Sequence, residues 1–260
     1  MPKSKRVAVH GNYKGQVTHP RLHVLPSGIF AGKCVLDVGC NEGWVTCEIA
    51  RDYAAYEVIG VDIDAELVGR AWRHRRDIWS LQAPPKTVKN ESNEPAGNGE
   101  TESLHSNQAY FPECFSSLFG PIPISTRNTS FPNNVSFYAS DWASQGCPAD
   151  EVGYDVVIAF SVSKWIHIHG GDDGLKLFFS RVRDVLRKRS SGGTFVLEAQ
   201  PFSGYRSAIR KAGTRAKQIT LSPDDFPALL AELGFSNPVR AGVVGEGGFK
   251  RPVDIYTLEP

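Results

Sequence analysis

Short apolar runs rich in Val and Ile alternate along most of this chain with longer stretches of helical period. Cys34-Val35-Leu36-Asp37-Val38 reads as a buried strand, Trp44 to Tyr53 as a helix, Val58-Ile59-Gly60-Val61-Asp62 as a strand, and Ala65 to Leu81 as a helix. Further strands fall at Val135 to Ala139 and Asp155 to Phe160, followed by a helix over Gly174 to Lys188 and a strand over Thr194 to Glu198. Helices at Tyr205 to Lys217 and Pro223 to Leu233, and strands near Val239 to Val244 and Val253 to Leu258, complete the series. Strands that are apolar throughout are covered on both faces, and strand–helix alternation makes neighbours parallel. The expected fold is α/β and Rossmann-like, with a mostly parallel seven-stranded sheet and helices on both faces. Ligands of such sheets bind beyond the carboxyl ends of the strands.

The pattern fails between Ala83 and Ser130, which is rich in Pro, Asn, Ser, Glu and Gly and has little periodicity before Tyr110-Phe111. This reads as an inserted, largely disordered loop. Without it about 210 residues remain, a size that suits one α/β domain. The expected organisation is a single domain over 1–260 with a basic amino-terminal arm (1–33) and the insert (83–130). At 41% apolar and 22% charged residues the chain has the composition of a soluble globular protein. It contains no run long enough to span a membrane, and Met1-Pro2-Lys3-Ser4-Lys5-Arg6 lacks the apolar core of a secretory signal, so cytosol or nucleus is expected.

With 29 Lys and Arg against 28 Asp and Glu, a uniformly basic nucleic-acid coat is excluded. The distribution is uneven, however. The first 36 residues carry Lys3, Lys5, Arg6, Lys14, Arg21 and Lys33 and no acid. A second acid-free stretch between Glu198 and Asp224 holds Arg206, Arg210, Lys211, Arg215 and Lys217, and Arg70, Arg73, Arg75 and Arg76 form a third cluster. Each alone fits a solvated helix face; three in a neutral chain point to an anionic partner. The five cysteines are scattered, with no Cys-x-x-Cys pair, so disulfides and structural zinc are not expected and buried thiols are.

The first strand runs directly into Gly39-Cys40-Asn41-Glu42-Gly43 and a helix, where glycines let the backbone turn and admit a ligand closely. A dinucleotide pyrophosphate calls for the fuller Gly-x-Gly-x-x-Gly, and Glu42 at the helix start repels it. Asp62 closes the second strand 23 residues after Gly39, placed to accept both hydroxyls of a ribose. S-adenosylmethionine satisfies this set, with Gly39 beside its methionine part, Ile63 beside adenine, and Asp141 and Trp142 offering a carboxylate and an aromatic face. From the glycines alone a Rossmann-like turn with a core Trp fits equally well; Asp62 and Asp141 tip the reading to the cofactor.

The block Ser161-Val162-Ser163-Lys164-Trp165-Ile166-His167-Ile168-His169-Gly170-Gly171-Asp172 resembles the Bicoid-interacting methyltransferases, which cap the 5′ phosphate of small noncoding RNAs with a methyl group. Gly11-Asn12-Tyr13 with Arg21, Phe131-Pro132-Asn133-Asn134, Glu198-Ala199-Gln200-Pro201-Phe202 and Gly248-Phe249-Lys250-Arg251-Pro252 support it. The resemblance implies Tyr13, Arg21, Gly39, Cys40, Asn41, Asp62, Ile63, Asp141, Trp142 and Phe160 as S-adenosylmethionine contacts, with Lys164 and Tyr13 as catalytic residues near the phosphate. It also implies a nuclear RNA substrate, a ribonucleoprotein partner, and a helix over Tyr205 to Lys217 that orders on RNA. Phe202, His169 and Asp141-Trp142 depart from the family pattern.

A terminal phosphate is mostly dianionic at pH 7 and needs no strong general base to attack a sulfonium methyl. Alignment and electrostatic tethering suffice, which suits Lys164 with Arg and Tyr donors. Expected RNA contacts are Lys164, His167, Tyr205, Arg206, Arg210 and Lys211, with Tyr205 stacking on the first base. His167 and His169 also fit helix packing, and Trp165 a core anchor. The γ-phosphate of a 5′-triphosphate is the expected target. A 5′-monophosphate, a small-molecule or protein substrate, and an RNA-binding subunit without turnover remain alternatives. A monomer is expected.

Overall fold

The computed structural model describes residues 19–81, 118, 120, 129–212, 219–245 and 250–260. Seven strands form one sheet: β1 (Cys34–Val38), β2 (Glu57–Asp62), β3 (Val135–Ala139), β4 (Val156–Phe160), β5 (Gly193–Glu198), β6 (Val239–Val244) and β7 (Arg251–Leu258). Their order is β3-β2-β1-β4-β5-β7-β6, with the first five parallel and β7 antiparallel to both neighbours. The described helices are α1 (Pro20–His23), α2 (Trp44–Asp52), α3 (Ala65–Ser80), α4 (Trp142–Gln145), α5 (Ser163–Leu186), α6 (Tyr205–Ala212) and α7 (Phe226–Glu232).

Alternation along each strand sends neighbouring side chains to opposite faces. Val35, Val156 and Val196 therefore pack with Leu22, Ile49 and Val68 of α1, α2 and α3. Leu36, Val157 and Phe195 pack with Phe178, Phe179 and Leu230 of α5 and α7. Both faces are covered, which is why the strands carry no polar alternation. The strand order reverses between β1 and β4, the place beyond whose carboxyl edge sheets of this kind bind their ligands.

The strands fall within one residue of their expected bounds, except that β7 starts two residues early, at Arg251. The helices differ more. α5 begins at Ser163, not Gly174, because Gly171 (φ 68, ψ −170) kinks one long helix whose first half the paired glycines disguise. Helical character before Phe226 is a single 3-10 turn over Pro223–Asp225. The four-residue α1 and α4 are too short to show a period. Of the expected insert only residues 118, 120, 129 and 130 are described, and most of the amino-terminal arm, with Tyr13, lies outside the described residues. So do residues 213–218, the last part of the expected basic helix.

Candidate active site

The loop after β1 is built so that only glycine fits at its two ends. Gly39 (φ 79) and Cys40 donate their N–H groups to Val61 O at 2.8 and 3.0 Å, pinning the turn to β2. A Cβ on Gly39 would meet Val162 at 2.7 Å, so β1 and the segment after β4 close on each other here. Gly43 (φ 76) is blocked likewise by Phe137 at 2.8 Å. Cys40 is buried, and burial lifts its thiol well above the ordinary range, so it packs and does not react. The four described cysteines are free thiols.

Asp62 receives Asn41 N–H on Oδ2 at 2.9 Å and Asp64 N–H on Oδ1 at 3.0 Å. Each oxygen keeps an acceptor place, which matches the two hydroxyls of a ribose. Burial pushes its carboxyl upward while the two backbone bonds oppose this. Ile63 beside it is 74% exposed, an apolar surface at the place expected for a purine. Asp141, after β3, is exposed and accepts the Ser144 hydroxyl. Trp142 corrects the expectation of an aromatic face for adenine. It is 2% exposed, its Nε1 donates to Asp150 at 2.9 Å, and its ring meets Phe178 edge-on. The indole is a core anchor, and Asp141 alone faces outward.

Asp37 lies in β1 beneath this loop and accepts the Thr46 hydroxyl at 2.6 Å. Burial pushes its carboxyl up to about 6 from the ordinary 3.8, against the Thr46 bond and the Arg21 charge. The folded chain thus keeps a proton up to about pH 6 that the unfolded chain releases near 4. Stability falls as pH rises through that window, by about 3 kcal/mol at most. Asp37→Asn retains the acceptor and removes the charge. Its gain in stability should be largest at pH 7.5 and shrink by more than half at pH 4.5 in urea titrations; an equal gain at both would show that charge burial is not the cause.

A second group gathers at the carboxyl ends of β4 and β5. Glu198 is 2% exposed and holds two arginines: Arg21 Nη1 at 2.7 Å and Arg251 Nη1 at 3.5 Å. Arg251 Nη1 also donates to Ser161 Oγ at 2.5 Å, and Arg21 lies 4.8 Å over the buried Phe160 ring. His19 adjoins Arg21, and burial, then the Arg21 charge, lower its imidazole to about 3, so it is neutral. Gln200 donates to Ser161 O at 2.6 Å and receives Lys164 N–H at 3.4 Å, fixing a turn in which Ser161 is left-handed (φ 59). The family resemblance placed Arg21 at the site, whereas Glu198, Arg251 and Ser161 occurred only within its motifs, with no role given to them. Nothing local to the Lys250-Arg251-Pro252 run signals that its arginine returns to β5.

Lys164 stands on the first turn of α5, its Nζ 5.0 Å from the Trp165 ring and 3.8 Å from where a Gly204 Cβ would lie. Trp165 is half-buried at this rim, not a full core anchor. His167 and Tyr205 overturn the expectation of direct RNA contact. His167 is 0% exposed, with Nε2 2.8 Å from Asp172 and Nδ1 3.4 Å from the Tyr205 hydroxyl. Tyr205 is 1% exposed and packs with Ile168 and Ala208 between α5 and α6. Burial opposes ionisation of Asp172, but bonds from His167, Thr220 and Leu221 prevail and hold it at about 2. These side chains dock α6. Arg206 and Arg210 on the same helix are exposed, as expected of phosphate contacts, and the Lys211 side chain lies outside the described residues.

A sheet ordered β3-β2-β1-β4-β5-β7-β6, with a glycine turn after β1 and an acid closing β2, defines a class I methyltransferase. The fold of a magnesium protoporphyrin IX methyltransferase from Synechocystis is similar, at 18% identity and TM-score 0.51, covering 92% of this chain and 76% of that one. A Haloferax volcanii complex of the Trm112 methyltransferase activator with a methyltransferase matches at 11% identity and TM-score 0.55, covering 93% and 89%. A methyltransferase domain family matches residues 10–200, and the Bicoid-interacting protein 3 (Bin3) family matches 154–258. The human 7SK snRNA methylphosphate capping enzyme is 34% identical over 98% of this chain, which spans 40% of that protein's length. A protein named as a probable RNA methyltransferase from Arabidopsis thaliana is 31% identical, over 90% of this chain and 74% of its own length. This chain belongs to the Bin3 family of methyltransferases.

Proposed function

We propose that this chain transfers a methyl group from S-adenosylmethionine to the 5′ γ-phosphate of a small noncoding RNA. The observation that carries the reading is the position of Lys164. It lies two residues past Val162, which touches the Gly39 turn, and its ammonium reaches Gly204 at the foot of α6 with Arg206 and Arg210. A cationic path therefore runs from the crevice to an exposed basic helix.

The residues present fit the cofactor. Asp62 has two acceptor places for a ribose, Ile63 an open apolar face, Asp141 an outward carboxylate, and Gly39 a backbone with no side chain in the way. Asn41 and Cys40 contribute through the turn, Phe160 supports Arg21 from below, and Arg21 is held by Glu198. Bound there, S-adenosylmethionine supplies a methyl made electrophilic by its sulfonium. Lys164 neutralises and orients the phosphate whose oxygen attacks, and Tyr13, outside the described residues, is assigned beside it on the family resemblance. A phosphate dianion carries its own nucleophilic electron pair, so these residues provide alignment, not proton abstraction.

Relatives named as snRNA enzymes support a nuclear setting for this chain, and the proposed ribonucleoprotein partner rests on the family resemblance alone. Among the described residues no helix is long and apolar enough to cross a membrane. The test is transfer of labelled methyl to one RNA bearing a 5′ triphosphate, monophosphate or hydroxyl. Label on the triphosphate alone is expected. Label on the monophosphate instead would move the target, and none on any RNA with cofactor bound would leave an RNA-binding subunit. Asp62→Asn removes one acceptor and should weaken cofactor binding about tenfold by calorimetry; unchanged affinity would remove Asp62 from the ribose site.

A further inference from the structure

The arginine cluster on α3 has no part in the site described above. Arg75 is used structurally: its Nη1 donates to Val135 O at 2.9 Å and its guanidinium lies 4.5 Å over the Trp72 ring. Arg70 pairs with Glu42 at 2.9 Å. Arg73 and Arg76, by contrast, are exposed and make no ion pair among the described residues; Asp77 is the acid nearest in sequence. Trp72 is 37% exposed yet fixed, edge-on to Phe137 at 5.5 Å and backed by Arg75. At spacings of three and four residues, Trp72, Arg73 and Arg76 share one helix face. Trp44, 42% exposed, lies on the other flank of α3, its ring against His74 at 3.4 Å between centroids.

An aromatic ring that remains open to solvent although other side chains hold it in place, next to two guanidinium groups that make no ion pair among the described residues, forms a stacking platform with backbone cations. That combination captures single-stranded nucleic acid without reading its sequence. A folded protein partner would gain more from a continuous apolar patch, and this ring is bordered by charge.

We propose that the Trp72–Arg73–Arg76 ridge binds the unpaired RNA strand downstream of the 5′ end held at Lys164. The inference rests on the RNA reading above. Two strand spacings, about 10 Å, separate the ends of β4 and β2, and α3 descends about 16 Å at right angles to this from Ala65 to Arg76, so roughly 20 Å lies between Lys164 and the far end of the ridge. That is the rise of about six stacked nucleotides. A substrate shorter than this engages the crevice alone, and a longer one engages both.

The experiment compares a three-nucleotide and a thirty-nucleotide unstructured RNA, both 5′-triphosphorylated, in methyl transfer by the full chain and by the Arg73→Glu/Arg76→Glu variant. Both positions are exposed and unpaired, so the core is untouched by the change. The variant should raise KM for the long RNA about tenfold, leave kcat unchanged, leave the short RNA unaffected, and flatten the salt dependence of long-RNA binding. Trp72→Ala should act in the same direction. An unchanged KM for the long RNA, or an equal rise for the short one, would overturn the proposal. If the parent methylates neither RNA, the transfer reading fails separately, and anisotropy of the labelled long RNA then decides: weaker binding by the variant supports the ridge, and equal binding overturns it.

Discussion

Glu198→Ala should destabilise the fold by about 3–5 kcal/mol, because it strands two guanidinium groups in a buried place. Arg21 and Arg251 are 10% and 15% exposed at their side chains and share this one carboxylate. In a chain of this size the melting temperature should fall by roughly 10 °C, and the urea midpoint should fall without a change of slope. Glu198→Gln retains an oxygen acceptor and loses the charge, so it should lie between parent and Ala. The same pair of variants separates stability from binding, since Arg21 lies over Phe160 beside the cofactor crevice. A loss below 1 kcal/mol for the Ala variant would mean that the arginines relax into solvent and that the carboxylate does not hold the site together.

Lys164→Ala should lower kcat/KM for a 5′-triphosphate RNA by a factor on the order of 10²–10³, the scale seen when one charge-stabilising donor is removed from a reaction centre. Cofactor affinity should stay within about twofold, because Asp62, Asn41 and the Gly39 turn lie across the crevice on β1 and β2. Lys164→Arg keeps a cation but changes its reach and donor geometry, so it should recover only part of the rate. Calorimetry for the cofactor and initial rates at two RNA concentrations check both halves. If the Ala variant turns over normally, the phosphate is held elsewhere, with Arg206 and Arg210 the next candidates to replace.

The sheet could be read along the chain because each strand is a short apolar run of its own, and burial on both faces is a local property of Val35-Leu36 or Val157-Ile158. The places in the fold of the expected cofactor contacts were equally legible: Gly39, Asp62 and Asp141 each sit within a few residues of a strand end. Tertiary neighbours decide the remainder. Trp142, His167 and Tyr205 have the chemistry of ligand contacts, yet Asp150, Asp172 and α6 give each a buried partner that no spacing announces. Gly170-Gly171 resembles a helix break and is instead a kink, since an isolated left-handed residue interrupts the helix without ending it. Arg251 became visible only through the antiparallel return of β7 beside β5.

The carboxylate at the end of β5 also sets an order of events during synthesis. A ribosome delivers Arg21 first, Glu198 177 residues later, and Arg251 only with the last strand. Until that strand has emerged and paired in reverse beside β5, a nascent chain has a parallel half-sheet with an open edge and a half-neutralised acid at its rim. The paired carboxylate and the closed edge therefore arrive late and at one step, which makes this edge the place where a chaperone or a premature stop has the greatest leverage over the fold.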